Sequence, residues 1–416
     1  MNQSYDLIVV GGGASGLMAA GRAAERGLKV LILEKNKRLG EKLRITGGGR
    51  CNITNAEEDE HVLLKVYGKA EPFLYSLFSQ FGVKDTFKFF ESRGLPLKIE
   101  AKKRAFPKSE RAEDVESVLE TYIKKGHVEV RTSSPVTRVI AEHGKIISVH
   151  CHTEQFTAKD YLLATGSVSH AETGSTGDGF KWLEKLGHNV AKPTPTIVPL
   201  AVKEEWAKSM MGTTLLNMKI TFFVDNKKRL NLYGNILFTH FGLSGPLILN
   251  NAYKVADLLE DGTVTALIDT YPKTDLGTLE NRVIEMFNKN KNKELKNTLS
   301  EMVPDGIHKG VLALISKHMD TTTKIHSVSK ENRKFIVHLL KSLPMTIEGL
   351  MGFDRAVVAD GGVPLNEIDM TTMRSKKVSN LLVTGDLLHI NRPSGGYSLQ
   401  LCWSTGYVAG SNACVL

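Results

Sequence analysis

Gly11, Gly13 and Gly16 stand directly behind the apolar run Asp6-Leu-Ile-Val-Val10 and open a segment of helical spacing, Ser15 to Arg26. This G-x-G-x-x-G between a strand and a helix constrains the chain more than any other feature, because each glycine has its own mechanical reason. Gly11 permits a tight turn, Gly13 clears the approach of a pyrophosphate, and Gly16 lets the helix pack closely on the strand. Leu7–Val10 is continuously apolar, as in a strand buried on both faces. Lys29-Val-Leu-Ile-Leu33 repeats that character, and Glu34 follows it, eighteen residues after Gly16. A carboxylate there accepts hydrogen bonds from an adenosine ribose. Backbone N–H groups at the helix start, carrying roughly half an elementary charge, face the phosphates. The pattern predicts a β-α-β dinucleotide-binding unit.

With 416 residues, 41% hydrophobic and 24% charged, the chain is long enough for two or three domains and is neither disordered nor fibrous. Cys51, Cys151, Cys402 and Cys414 form no C-x-x-C pair. No structural zinc or other metal site is therefore expected, and a reducing, cytoplasmic location is. No apolar run approaches the ~20 residues of a membrane span, and Asp6 interrupts any signal-peptide pattern. The net charge, 54 − 45 = +9, fits an anionic small ligand as well as nucleic acid. The lysine-rich stretch 288–296 has interspersed acids and no interleaved aromatics, so it reads as a solvated helix face. A small-molecule substrate is expected, nucleic acid and membrane are not, and the oligomeric state is left open.

Farther along, 71–93 and 111–125 read as helical, Val128 to His150 as a small antiparallel meander, and Tyr161–Gly166 as a buried strand running into glycine. Three prolines in Pro193–Pro199 mark a boundary. Strand-like segments follow over 197–270, then lysine-rich helices over 274–342. Asn380–Thr384 is a last strand, and Tyr397 to Ala409 a buried terminal helix.

The fingerprint alone does not choose between NAD and FAD. A second glycine cluster, Thr46-Gly-Gly-Gly-Arg-Cys-Asn52, supplies backbone without side chains, suited to a flat ring system, with Arg50 available to neutralise phosphate. Thr384-Gly-Asp386 offers an acid for ribityl hydroxyls, and a helix start near Gly395-Gly396 would face the flavin's N1–C2=O edge. These features select FAD, bound by segments from both ends of the chain.

Gly11 to Gly16, Lys42–Asn52, Leu237–Pro246, Gly361–Val363, Thr372–Lys376 and Gly395–Tyr397 together resemble a bacterial family of FAD-dependent oxidoreductases, the aminoacetone-oxidase-like or 3-dehydro-bile-acid Δ4,6-reductase-like flavoproteins. The chain departs from that family's usual residues at Ser167, His170, Ala171, His389 and Ser398. The resemblance implies an α/β protein: a Rossmann-like FAD-binding domain from both chain ends (1–194 and 345–416), an inserted β-barrel-like domain (195–273 and 335–344) and a small helical domain (274–334). The expected FAD contacts are Gly11, Gly13, Ala14, Ser15, Gly16, Glu34, Lys35, Lys42, Thr46, Gly47, Gly48, Gly49, Arg50, Cys51, Asn52, Val136, Ala164, Thr165, Gly166, Gly385, Asp386, Gly395, Gly396 and Tyr397.

The expected activity is hydride transfer between flavin N5 and a small organic substrate such as an enone, with NAD(P)H as transient reductant. Flavin amine oxidation and RNA modification are the alternatives, with a plain NAD dehydrogenase as a further reading. Tyr397, His240 and His389 are candidate proton donors, and Arg392 a candidate carbonyl polariser. For the histidines, a hydrogen-bonded turn residue is the weightier reading. Cys51 beside Arg50 would favour a thiolate, but a small residue packed near the ring is the plainer role.

Overall fold

The computed structural model describes residues 4–356 and 358–415. Residues 1–194 and 357–416 form one compact unit, and 195–356 another.

In the first unit, β1 (Ser4–Val10) leads into α1 (Ala14–Glu25) and β2 (Val30–Leu33). Beside them lie β3 (Glu154–Leu163) and β4 (Leu381–Val383). β2, β1, β3 and β4 are neighbours in that order and all parallel, with Val9 facing Ile32 on one side and Leu162 on the other. Both chain ends thus contribute strands to one sheet. Leu7, Ile8, Val9, Leu31, Ile32, Leu162 and Leu382 are essentially inaccessible to water, which is why these strands are uniformly apolar.

The stretch after 128 is not a simple meander. Glu129–Arg131 extends the sheet in parallel beside β2, following the helix Ala112–Lys125, while Val136–Glu142 pairs antiparallel with Lys145–Cys151, which in turn pairs antiparallel with the start of β3. The helical region 71–93 breaks at Gly82 into Glu71–Gln80 and Val83–Glu91, with Asp85 accepting the Gly82 N–H. The terminal helix α2 (Tyr397–Asn412) packs along α1, and Trp403 is buried with its indole donating to the Ile53 carbonyl at 2.9 Å.

The second unit is built on a closed antiparallel barrel. Its strands run, in spatial order, Leu200–Val202, Gly242–Ser244, Lys227–Thr239, Thr214–Val224, Val264–Asp269 and Leu343–Leu350, which returns to the first. Phe222, Phe238, Ile220 and Ile268 fill it. Helices Leu276–Lys289, His308–Ser316 and Lys330–Lys341 share one core with the barrel through Leu279, Val283, Phe287 and Leu340. Barrel and helices are therefore a single compact unit, where the sequence suggests two domains. The boundary expected at 345 falls inside the barrel strand Leu343–Leu350. Among the described residues no helix is long and apolar enough to cross a membrane.

Candidate functional site

The turn after β1 is fixed by close approach. Gly11 has φ +106°, and a Cβ there would lie 2.6 Å from the Ala164 carbonyl oxygen. At Gly16 a Cβ would lie 2.0 Å from the Gly11 oxygen, so α1 can begin only with a glycine at that point. No side chain caps the α1 N-terminus and no acid lies in its first turn, which leaves its first N–H groups for a ligand. Around Gly13 a Cβ would meet nothing within 4 Å.

Glu34 is buried and holds this loop: one carboxylate oxygen accepts the Gly12 N–H at 2.7 Å, the other the Asn36 N–H at 2.8 Å. Two of its roughly four lone-pair positions are occupied, and the others remain for hydroxyl donors. Burial raises its pKa above the ordinary carboxylate value against the pull of those amides.

Loop, helix start and Glu34 line one cleft enclosing about 1260 Å³ of space, part of it open to solvent. Of the expected contacts, Gly11, Gly13, Ala14, Ser15, Glu34, Lys35, Lys42, Thr46, Val136, Ala164, Thr165, Gly166 and Asp386 line it. Lys35 pairs with Asp178 at 3.0 Å and donates to Thr176. Lys42 touches only the Ser169 hydroxyl, at 3.1 Å, and has no ion pair among the described residues. Burial pulls its pKa down, opposed by Asp386. The Thr165 hydroxyl is buried without a partner among the described residues.

The structure redirects several expected residues. Arg50 is committed to Glu100 and Glu110 and lies over the Phe106 ring, 4.2 Å from its centroid; its charge is already balanced, and it does not line the cleft. Gly47, Gly48 and Gly49 form a turn outside the lining. Cys51 is fully buried and its pKa is pushed up to about 12, so it is a thiol: desolvation outweighs any nearby positive charge. Asn52 accepts the Gly396 N–H at 2.9 Å and donates to the Thr54 and Ala105 carbonyls. Gly385 donates to Thr405 Oγ1, and Gly395 accepts from Asn55.

Arg392 is buried, hydrogen-bonded to Asp386, Ser398 and the Ile390 carbonyl; it steadies Asp386 and is not a free carbonyl polariser. Tyr397 opens α2, with its carbonyl accepting from Tyr67 at 3.1 Å and the two rings edge to face. His389 is half exposed beside Asp360. His240 lies on an exposed turn of the barrel unit, its ring against Phe241.

Sequence reasoning missed Asn36, Pro135, Thr173, Gly174, Ser175, Thr176, Asp178, Trp182, Ser398 and Cys402, which also line the cleft. Gly174 and Gly177, shortly after a strand ending in Ala164-Thr-Gly166, mark a second turn at the sheet's carboxyl edge and were the available signal.

Residues 5–412 match the family model described as HI0933-like protein Rossmann domain. The chain belongs to that family. It is an FAD-dependent oxidoreductase, with the Rossmann-type fold of that class. Over 410 residues it is 28% identical to a 3-dehydro-bile acid delta(4,6)-reductase of Clostridium scindens, spanning 97% of this chain and 98% of the relative. A ribosomal RNA dihydrouridine synthase of Escherichia coli is 26% identical over 97% of both chains. Its Haemophilus influenzae counterpart is 28% identical over 98% of both.

Among solved structures, a flavocytochrome c3 fumarate reductase superposes with TM-score 0.55 at 15% identity, covering 99% of this chain and 78% of that one. A 3-ketosteroid-Δ4-(5α)-dehydrogenase of Rhodococcus jostii gives 0.54 at 15%, covering 99% and 96%. These two likenesses concern the fold alone. The cleft fits FAD on its own terms: an uncapped helix start, open space at Gly13, an acid with unused lone pairs and, among the described residues, a lysine without an ion pair and a threonine hydroxyl without a partner.

Proposed function

We propose that this protein reduces a carbon–carbon double bond conjugated to a carbonyl, with NADH or NADPH as electron source, in the cytoplasm. FAD, when bound, supplies hydride transfer at its N5. The Gly11–Ser15 amides and Lys42 would hold its pyrophosphate, Glu34 its adenosine ribose, and Thr165 and Asp386 its ribityl chain. Arg392 holds Asp386 in place. Tyr397 is the proposed proton donor to the substrate α-carbon; burial raises its pKa, so its hydroxyl keeps its proton at neutral pH.

One observation carries the reaction class. The full-length relatives named for a bile-acid Δ4,6-reductase and for a dihydrouridine synthase share a chemistry: each name describes saturation of a C=C bond conjugated to a carbonyl, in a steroid ring or in uracil. Two substrates follow, a small enone or a uracil base in RNA, and the second is supported by two RNA-named relatives matching end to end.

An anaerobic titration with NADH and NADPH, followed by reoxidation with enones, uridine-containing RNA, amines or oxygen, tests this reading. Rapid bleaching of the flavin by a nicotinamide and recovery with an enone or RNA is expected. Bleaching by an amine alone would replace the reductase with an oxidase. Tyr397→Phe should slow substrate reduction without loss of FAD.

A further inference from the structure

The outer face of the barrel carries an unusual combination. On the strand Lys227–Thr239, Tyr233 is 63% exposed, although a tyrosine in a globular protein ordinarily covers its ring. Directly across the ladder stands Lys219 of the strand Thr214–Val224, its Nζ 5.9 Å from the ring centroid. The next outward pair along the same face, Thr221 and Asn231, is polar and joined at 2.8 Å. At the hairpin end stand Lys227 and Lys228, both exposed, with Lys228 opposite Phe223.

From Thr214 to Thr239 the chain holds Lys219, Lys227, Lys228 and Arg229 against a single acid, Asp225. Arg229 is paired with Asp261 at 2.6 Å, whereas the three lysines have no carboxylate within 4 Å among the described residues. In the lysine-rich stretch 288–296 Lys296 pairs with Glu294 and Lys293 with Glu301, while Lys289 and Lys291 have no ion pair among the described residues; what sets that stretch apart is that it carries no exposed aromatic among the described residues.

We infer that this barrel face binds single-stranded RNA, with Tyr233 as a stacking platform for one base and Lys219, Lys227 and Lys228 on the phosphates. The occupant follows from the chemistry of the face. A protein partner of ordinary affinity would want a contiguous apolar patch with few charges at its centre, whereas here Tyr233 sits among cations and amides, with Leu216 the one other exposed large apolar side chain on these two strands among the described residues. A flexible strand of nucleotides satisfies that pattern, because every base has a π-face and every phosphate a charge. A duplex would leave Tyr233 without a base to stack on. The inference rests on the RNA arm of the proposed function and specifies where on the chain RNA is held.

The test uses the FAD-loaded full-length protein and fluorescein-labelled oligouridylate of about a dozen nucleotides, within the ~4–16-nucleotide range of single-strand sites on small barrels. Heparin serves as a polyanion without bases. Tyr233→Ala should weaken oligouridylate binding about tenfold or more and leave heparin binding unchanged. Lys219→Glu with Lys228→Glu should weaken both ligands and lower the slope of log K against log salt by about 0.7 for each phosphate no longer neutralised. Flavin content and NADPH-driven bleaching should be as in the parent, which shows that the variants are folded. Equal oligouridylate affinity in Tyr233→Ala, or equal losses for both ligands, overturns the stacking site. If the parent protein binds no RNA yet still reduces enones, the RNA assignment falls while the conjugated-bond reductase stands.

Discussion

The loop Gly11–Gly16 and the cluster Thr46–Asn52 have similar compositions and lie in the same compact unit, yet they use their backbones in opposite ways. The first leads into a twelve-residue helix with no side-chain cap, and Gly11 through Ser15 all line the cleft. The second closes on itself: Cys51 N–H donates to the Thr46 carbonyl at 2.9 Å, Asn52 ties to Gly396, Arg50 lies on Phe106, and only Thr46 lines the cleft. Glycine richness reports that the backbone is turned sharply or approached closely. Whether the turned segment holds a ligand depends on which N–H groups stay unsatisfied.

The largest expected effect separates the two segments directly. In Gly11→Ala the new methyl meets the Ala164 carbonyl in a backbone conformation that costs an L-residue about 1–3 kcal/mol. Flavin absorbance per mole of purified protein should fall at least tenfold. Gly48→Ala has open space around it at φ +69°; about 1 kcal/mol of stability should go and the flavin should stay. A colourless Gly48→Ala protein would mean that the second cluster grips FAD after all.

Next in size is Glu34→Gln. Losing a carboxylate that accepts the buried Gly12 N–H costs about 1–3 kcal/mol, read as a roughly tenfold or greater rise in the FAD dissociation constant. The parent should also show a pH dependence that the variant lacks. Hydroxyl donors prefer the carboxylate form, and burial raises the carboxyl's pKa in the empty site. Affinity is therefore full at neutral pH and falls as pH drops through a value above the ordinary carboxylate range. A flat profile in the parent would remove Glu34 from the ribose contact.

The legible part of this molecule was the part governed by local sequence. Strand, glycines, helix, strand and acid fall within 34 residues, and the buried run Leu381–Val383 announces the C-terminal strand by apolarity alone. Partner choice was not legible. Nothing near Arg50 in sequence says that Glu100 and Glu110 will reach it from 50 and 60 residues away, or that Asp386 will take Arg392 out of the substrate's reach. Glu129–Arg131 likewise carries no mark of parallel pairing with β2, because the crossover helix that brings it there decides the direction.

Arg50→Ala turns that long-range commitment into a measurement. Removing the guanidinium from the Phe106 face should cost about 1 kcal/mol, seen as a lower denaturant midpoint, while the FAD dissociation constant stays within about twofold. A phosphate-binding arginine would instead give a tenfold loss of FAD affinity with little change in stability. The two outcomes separate on which axis moves.

The smallest effect concerns Cys51, which sits between Arg50 and Asn52 and so tests how tightly the second cluster is closed. Its thiol is fully buried, and desolvation pushes its pKa to about 12 against a weaker opposing pull from Thr46. At pH 8 the group is therefore a thiol, and the thiolate is the nucleophilic form. Iodoacetamide should therefore leave Cys51 unmodified in the native protein and reach it only after unfolding, as mass spectrometry of the peptide would show. Cys51→Ala should change turnover and flavin content by less than about twofold, since a small apolar side chain replaces a protonated thiol in a dry site. Rapid native labelling, or loss of turnover in Cys51→Ala with flavin retained, would mean that the cluster opens far enough to expose a reactive sulfur, and the contrast with the Gly11–Gly16 loop would then be one of degree.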